Sequence, residues 1–172
     1  MDQITVGAFG ASFDNVMLPM GLMLNHVLIQ GKAGTIFTDP LNIQLDSPGQ
    51  VEVHVHESSL SAFLEKESPA GMRDVNISAQ SGVIKLKATV KVLFEIKAEA
   101  LCTLKIVNGK QLFVVLESVE MAGVGAKSLA EQQLEKINPV LDVADLPLNL
   151  TLESVRIENG EIVLHGTANL KT

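Results

Sequence analysis

Apolar and polar positions alternate along this chain in blocks, and the longest block is VIKLKATVKVLFEIKAEALCTLKIV, from Val83 to Val107. Every even position from Ile84 to Ile106 is apolar or small, and the odd positions are mostly Lys, Glu or Thr. Successive side chains of a strand point to opposite faces, so the block predicts one apolar wall and one wet face. As a single strand it would reach roughly 75 Å, several times the usual strand length. A shorter alternation marks VEVHVH (Val51 to His56), with Val51, Val53 and Val55 on one face. LNIQL reads as a short strand, and HVLIQGKAGTIF as an extended pair.

The period then changes twice. ESSLSAFLEKE (Glu57 to Glu67) carries Leu60, Phe63 and Leu64 at helical spacing, with Ser58 or Ser59 as the cap and Pro69 and Gly71 as the stop. A second helix is marked by a Ser128–Glu131 capping box, an Ala130, Leu134, Ile137, Leu141 stripe, and Asn138–Pro139 at its end.

Turn chemistry fixes several registers. Asn159–Gly160 as a two-residue loop pairs Ile157 with Ile162 and Val155 with Leu164, both central residues taking positive φ. At Asn108–Gly109 a three-residue loop is preferred, because only an odd loop matches Ile106 with Leu112, Leu104 with Val114 and Cys102 with Leu116. VNISAQSGVIKL sets Val75 and Ile77 against Leu86 and Ile84. In LNLTLESVRI the apolar phase moves from Leu148, Leu150 and Leu152 to Val155 and Ile157, predicting a bulge near Glu153–Ser154 that bends the strand. Residues 1–40 read as an irregular, apolar N-terminal segment, given their Gly, Met and Pro19. The expected fold is α+β: one domain over 1–172, a long, strongly curved antiparallel sheet wrapped as a half-barrel around one or two helices.

Composition narrows the function. Hydrophobic residues make up 47% of the 172, yet the net charge is −7, the mean hydropathy +0.29, and only 19% of residues are charged. With no clustered basic surface, no Trp, no Tyr and six Phe, nucleic acid is excluded as a partner. Lone Cys102 makes no internal disulfide and reads as an inert core thiol. Glu52, His54 and His56 share a strand face, but the reading preferred over metal ligation is a solvated face. No G-x-S-x-G elbow and no phosphate-cradling Gly loop occurs, and Asp142, Asp145, Glu153, Glu161 and His165 read as surface groups. No catalytic residue, metal or cofactor is therefore assigned. The row Lys85, Lys87, Lys91, Lys97 and Lys105 reads as a solvated face that blocks edge aggregation, with anionic headgroup contact as the weaker option. Val16 to Leu24 lacks both a basic n-region and the length of a span, so the expected location is cytoplasmic or peripheral to a membrane, or extracytoplasmic if an export segment has been removed.

Burying the twelve inward positions of the long wall would contribute on the order of 10–20 kcal/mol. Two helices reaching roughly 15–18 Å each cannot cover it. A turn near Lys97–Glu99, a partner subunit, or acyl chains must account for the rest. Here the chain resembles a known family: a strand into SSLSAFL, hairpins flanking SGVIKLKA, the helix SLAEQQLEKINP, then LPLNLTLESVRIENGEIVLHG. Over roughly 50–170 this order is similar to the LmeA-like phospholipid-binding family, itself similar to the tubular lipid-binding (TULIP) proteins. The resemblance implies a curled sheet enclosing an elongated lipid groove in a bacterial, membrane-associated protein. The expected wall residues are Leu86, Val90, Val92, Phe94, Ile96 and Leu104, faced by Leu134 and Ile137. The expected partner is a lipid or other long apolar ligand, with peripheral membrane contact. A phospholipase acting on the bound lipid, and a homodimer joined through the apolar face, are the alternatives.

Overall fold

The computed structural model describes residues 3–39, 41–67, 72–91, 95–121, 126–146 and 149–169. The expectations on Pro69, Gly71, Val92, Phe94 and Leu148 lie outside them. In chain order the elements are β1 (Gln3–Val6), β2 (Phe9–Met17), β3 (Met23–Gly31), β4 (Gly34–Thr38), β5 (Leu41–Leu45), β6 (Gly49–His56), α1 (Glu57–Glu67), β7 (Arg73–Gln80), β8 (Val83–Lys91), β9 (Glu95–Val107), β10 (Gln111–Met121), α2 (Ala126–Ile137), β11 (Leu141–Asp142), β12 (Asn149–Glu158) and β13 (Glu161–Asn169). Among the described residues no helix is long and apolar enough to cross a membrane.

The strands form antiparallel sheets in the orders β11-β10-β9-β8-β7, β12-β13-β6-β3-β2 and β1-β4-β5. Together with the two helices they make a strongly curled half-barrel of the α+β class, as the alternation predicts. Bulges between Leu116 and Ser118, Leu152 and Ser154, and Arg73 and Asn76 supply local bends.

The long apolar run is not one strand. β8 and β9 pair antiparallel with Lys91 opposite Glu95, so the chain reverses between them rather than near Lys97–Glu99. The pairing keeps parity: Ile84 faces Cys102, Leu86 faces Ala100, Ala88 faces Ala98 and Val90 faces Ile96. Because even positions meet even positions, the apolar wall survives the reversal, half as long and two strands wide. No Gly or Pro marks the reversal in the sequence, which is why turn chemistry does not find it.

Two hairpins follow the sequence reading. Ile106 pairs with Leu112, Leu104 with Val114 and Cys102 with Leu116 across a three-residue loop, with Asn108 at φ 53° and Gly109 at φ 63°. Ile157 pairs with Ile162 and Val155 with Leu164 across Asn159–Gly160. There only Gly160 takes a positive φ, 86°, and its N–H donates to the Ala79 carbonyl at 2.9 Å, so the tip is docked rather than free. The third register is shifted by two residues. Ile77 faces Leu86 and Ala79 faces Ile84, because the tight turn is Ser81–Gly82, both in the left-handed region. A two-residue shift leaves every side chain on its face.

The N-terminal segment is corrected from irregular to stranded: β2 and β3 pair from Phe9↔Gly31 to Met17↔Met23 and extend the sheet at β6. β3 and β4 do not pair with one another; β4 lies between β1 and β5. α1 has the predicted bounds, but Ser59 is buried and donates to Asn25 Oδ1 at 2.9 Å. α2 begins at Ala126, so Ser128 lies inside its first turn. At its end Asn138 acts as a strand residue: its carboxamide accepts from Val114 N–H at 2.9 Å and donates to Val114 C=O at 2.8 Å.

The same device covers the edge of β12. Leu152 N–H donates to Gly109 C=O at 2.7 Å, and Gly82 N–H donates to Ile157 C=O at 3.1 Å. The tips of two hairpins thus occupy backbone groups that an edge strand would leave open. Beside the β12 bulge, a Cβ built on Gly166 would overlap the Thr151 carbonyl oxygen, which is backbone and has little room to yield. Gly166→Ala is therefore expected to cost roughly 2–4 kcal/mol in urea unfolding. Gly7→Ala, whose Cβ meets nothing within 4 Å, is expected to stay within about 1 kcal/mol.

Candidate functional site

Among the described residues, the inward apolar faces line two clefts. The first lies over the even face of β8 and β9, beneath the apolar stripes of α1 and α2, and has a volume of about 150 Å³. Of the expected wall residues, Leu86, Val90, Leu104, Leu134 and Ile137 line it. Ile96 sits opposite Val90 on the same face but does not line the cleft. Ala130, Leu60, Phe63 and Leu64 complete the helical cover. Gln133 is the one amide among these walls.

The second cleft is larger, about 630 Å³, and no single stretch of sequence announces it. Its floor is the inner face of β2, β3 and β6: Phe9, Ala11, Phe13, Val27, Ile29, Val51 and Val53. Ile36 and Leu45 face this floor, with Leu141, Val143, Leu150 and Leu152 along the side. The period-two spacing of Phe9, Ala11 and Phe13, then of Val27 and Ile29, is the signal that finds these strands, and Gly, Met and Pro19 obscure it. Phe13 lines the cleft yet is 50% exposed, so the cleft meets the surface there. Leu24, Leu141 and Leu164 line both clefts and form their common wall. Ligand sites commonly enclose roughly 300–1,000 Å³. The second cleft falls in that range, whereas the first matches a cavity that holds a benzene-sized guest.

Cys102 lines the first cleft, 3% exposed, and burial pushes its thiol up to about 11. It is a wall group and a poor nucleophile. Of the sequence-level carboxylates, Asp142 accepts from Gln111 Nε2 at 2.7 Å and from Ala144 N–H at 2.9 Å, which hold its carboxyl below the usual range. That is the role of a turn cap.

Asp14, His26, His54 and Glu52 neighbour one another on the outer face of the second sheet across β2, β3 and β6, and His165, which also borders the second cleft, stands opposite Glu52 on β13. His26 Nδ1 meets Asp14 Oδ1 at 2.7 Å, and His165 Nδ1 meets Glu52 Oε2 at 3.4 Å. His54 has both ring nitrogens on carboxylates, Nε2 to Glu52 at 2.8 Å and Nδ1 to Glu161 at 3.0 Å. That leaves no lone pair for a cation, and among the described residues no group of three or more His, Cys, Asp or Glu is arranged to hold a metal. Within the Lys row, Lys85 and Lys87 both bind Glu99, and beside it Arg73 binds Glu95.

Burial alone would lower the His54 pKa, but the hydrogen bonds to Glu52 and Glu161 outweigh it and raise it above its ordinary 6.5. The stability this supplies is complete below about pH 6.5 and is lost as pH rises through the folded value. The unfolding free energy of the protein minus that of His54→Gln, from urea titrations, is expected to shrink between about pH 6 and pH 8.5, by less than ~1 kcal/mol for a pair this exposed. Iodoacetamide at about pH 8 is expected to leave Cys102 unmodified in the folded chain and to label it fully in guanidinium chloride.

Compared with known families, the chain matches the family model described as LmeA-like phospholipid-binding over residues 2–167. No curated protein and no solved structure matches it.

Proposed function

We propose that this chain, which belongs to the LmeA-like phospholipid-binding family, holds the acyl chains of a phospholipid or similar amphiphile in its apolar clefts. The observation that carries the reading is the second cleft, about 630 Å³ of space walled almost wholly by aliphatic and Phe side chains and reaching the surface at Phe13. Water in such a space makes few hydrogen bonds, and hydrocarbon replaces it favourably. Each methylene buried contributes about 0.8 kcal/mol, so ten or so offset much of the roughly 4–15 kcal/mol cost of association.

A charged headgroup is not carried into walls of this kind, because an unpaired buried charge is prohibitive. The lipid therefore enters chain first, with its polar end left at the surface. Half-exposed Phe13 gives the entrance an apolar contact point for a bilayer. Selection in this cleft comes from shape more than from hydrogen bonds.

The test is loading. Protein incubated with phosphatidylglycerol vesicles, re-isolated and weighed by native mass spectrometry, is expected to carry intact lipid. Ala11→Trp places an indole in the second cleft of a chain that has no Trp of its own, and is expected to cut loading at least fivefold while melting as cooperatively as the parent. Full loading of a folded Ala11→Trp protein would remove the cleft from the account. A lipid-free dimer would replace the reading with an interface, and release of lyso-lipid would replace it with ester hydrolysis.

A further inference from the structure

The pairing registers lay one row of apolar side chains straight across the second sheet. Phe13 on β2 faces Val27 on β3, Val27 faces Val53 on β6, and Val53 faces Leu164 on β13. All four line the second cleft, and Phe13 at the outer end is the half-exposed one. Three strand spacings of about 4.8 Å put Leu164 roughly 14 Å from that entrance. Leu164 also belongs to the wall shared with the first cleft. Two residues further along the same two strands, the facing pair Val55 and Ile162 lines the first cleft.

An extended chain of sixteen carbons, with bonds of about 1.5 Å, spans roughly 19 Å and overruns this row by about four carbons. Volume gives the same mismatch. A cavity the size of the first cleft, about 150 Å³, takes a six-carbon ring. The second cleft, about 630 Å³, holds about two dozen carbons by that measure, fewer than the thirty-two of two sixteen-carbon chains. With the first cleft added, the capacity rises to about thirty. Between the clefts stand three aliphatic side chains, Leu24, Leu141 and Leu164, with space on both flanks. A side chain so placed forfeits dispersion contacts, and turning it to another staggered rotamer costs little.

We infer that the first cleft is the chain-end subsite of this lipid site. Acyl chains of up to about twelve carbons end in the second cleft, and longer ones displace the Leu24, Leu141 and Leu164 wall and seat their last carbons in the first. Phospholipid chains of roughly sixteen to eighteen carbons are thereby accepted whole, with the polar end at the surface beside Phe13. This inference rests on the lipid-holding function proposed above.

Filling the first cleft without touching the second is the test. Ala100 on β9 and Ala130 on α2 line the first cleft and not the second. Ala100→Phe fills it from the sheet side and Ala130→Leu from the helix side. Parent and variants, each checked by urea unfolding, are incubated with fluid vesicles of dilauroyl and dipalmitoyl phosphatidylglycerol in equal amounts. The protein is re-isolated and its lipid quantified by mass spectrometry. The parent is expected to load the two within about twofold, because each added methylene exchanges a hydrocarbon bilayer for a hydrocarbon cleft. In the folded variants dipalmitoyl lipid is expected to fall roughly tenfold or more against dilauroyl, whose loading stays at the parental level. Two methylenes left without a place suffice for that factor. Dipalmitoyl loading at the parental level in the folded variants, an equal loss of both lipids, or a parent that takes only dilauroyl lipid would overturn the inference and leave the proposed function standing. A parent that loads neither lipid would overturn the proposed function itself.

Discussion

A β-strand of alternating composition can hide its apolar face only if every turn returns the chain in phase, since a slip of one residue sends the whole set of side chains into water. That constraint organises this molecule. The reversal between β8 and β9 pairs even with even, and the three-residue loop between β9 and β10 does the same. The bulge at Leu152–Ser154 absorbs the phase change within β12. The result is two five-stranded sheets whose aliphatic faces are both turned inward. α1 and α2, with 11 and 12 residues, reach roughly 17–18 Å each and lie over the first cleft. The second sheet is met by smaller pieces, β1, β4 and β5 and the turn around Val143, and space is left between them.

The outer surfaces solve a different problem. Lys85, Lys87 and Arg73 bind Glu99 and Glu95 across strands, and the histidines of the second sheet are threaded between Asp14, Glu52 and Glu161. Open strand edges are closed by backbone groups of hairpin tips and by the Asn138 carboxamide. Polar chemistry is thus consumed laterally, within the faces and edges it occupies. Little of it points into the clefts, whose walls are almost wholly apolar.

Much of the architecture was legible because period two and turn chemistry are local properties. The long wall, α1, the hairpins at Asn108–Gly109 and Asn159–Gly160, and the Glu153–Ser154 bulge could be read from neighbouring residues alone. The reversal between Lys91 and Glu95 could not, since no residue there demands a turn and tertiary pairing decides it. The second cleft was hidden for another reason. Each of its strands contributes between one and four residues, from Val6 to Gly166, and only the tertiary arrangement of the sheets brings them together. For the wall residues, alternation placed Leu86, Val90 and Leu104 on the correct face. It carried no information on how much free volume would remain above them, and the larger space opened elsewhere.

Isotope-filtered NMR on methyl-labelled protein loaded with unlabelled phospholipid tests the central claim most directly. The account predicts contacts from acyl methylenes to the methyl groups of Val27, Ile29 and Val53, which form the floor of the larger cleft. Bound lipid that touches none of these, and instead contacts the outer-face Leu28 or the exposed Val115, would contradict it.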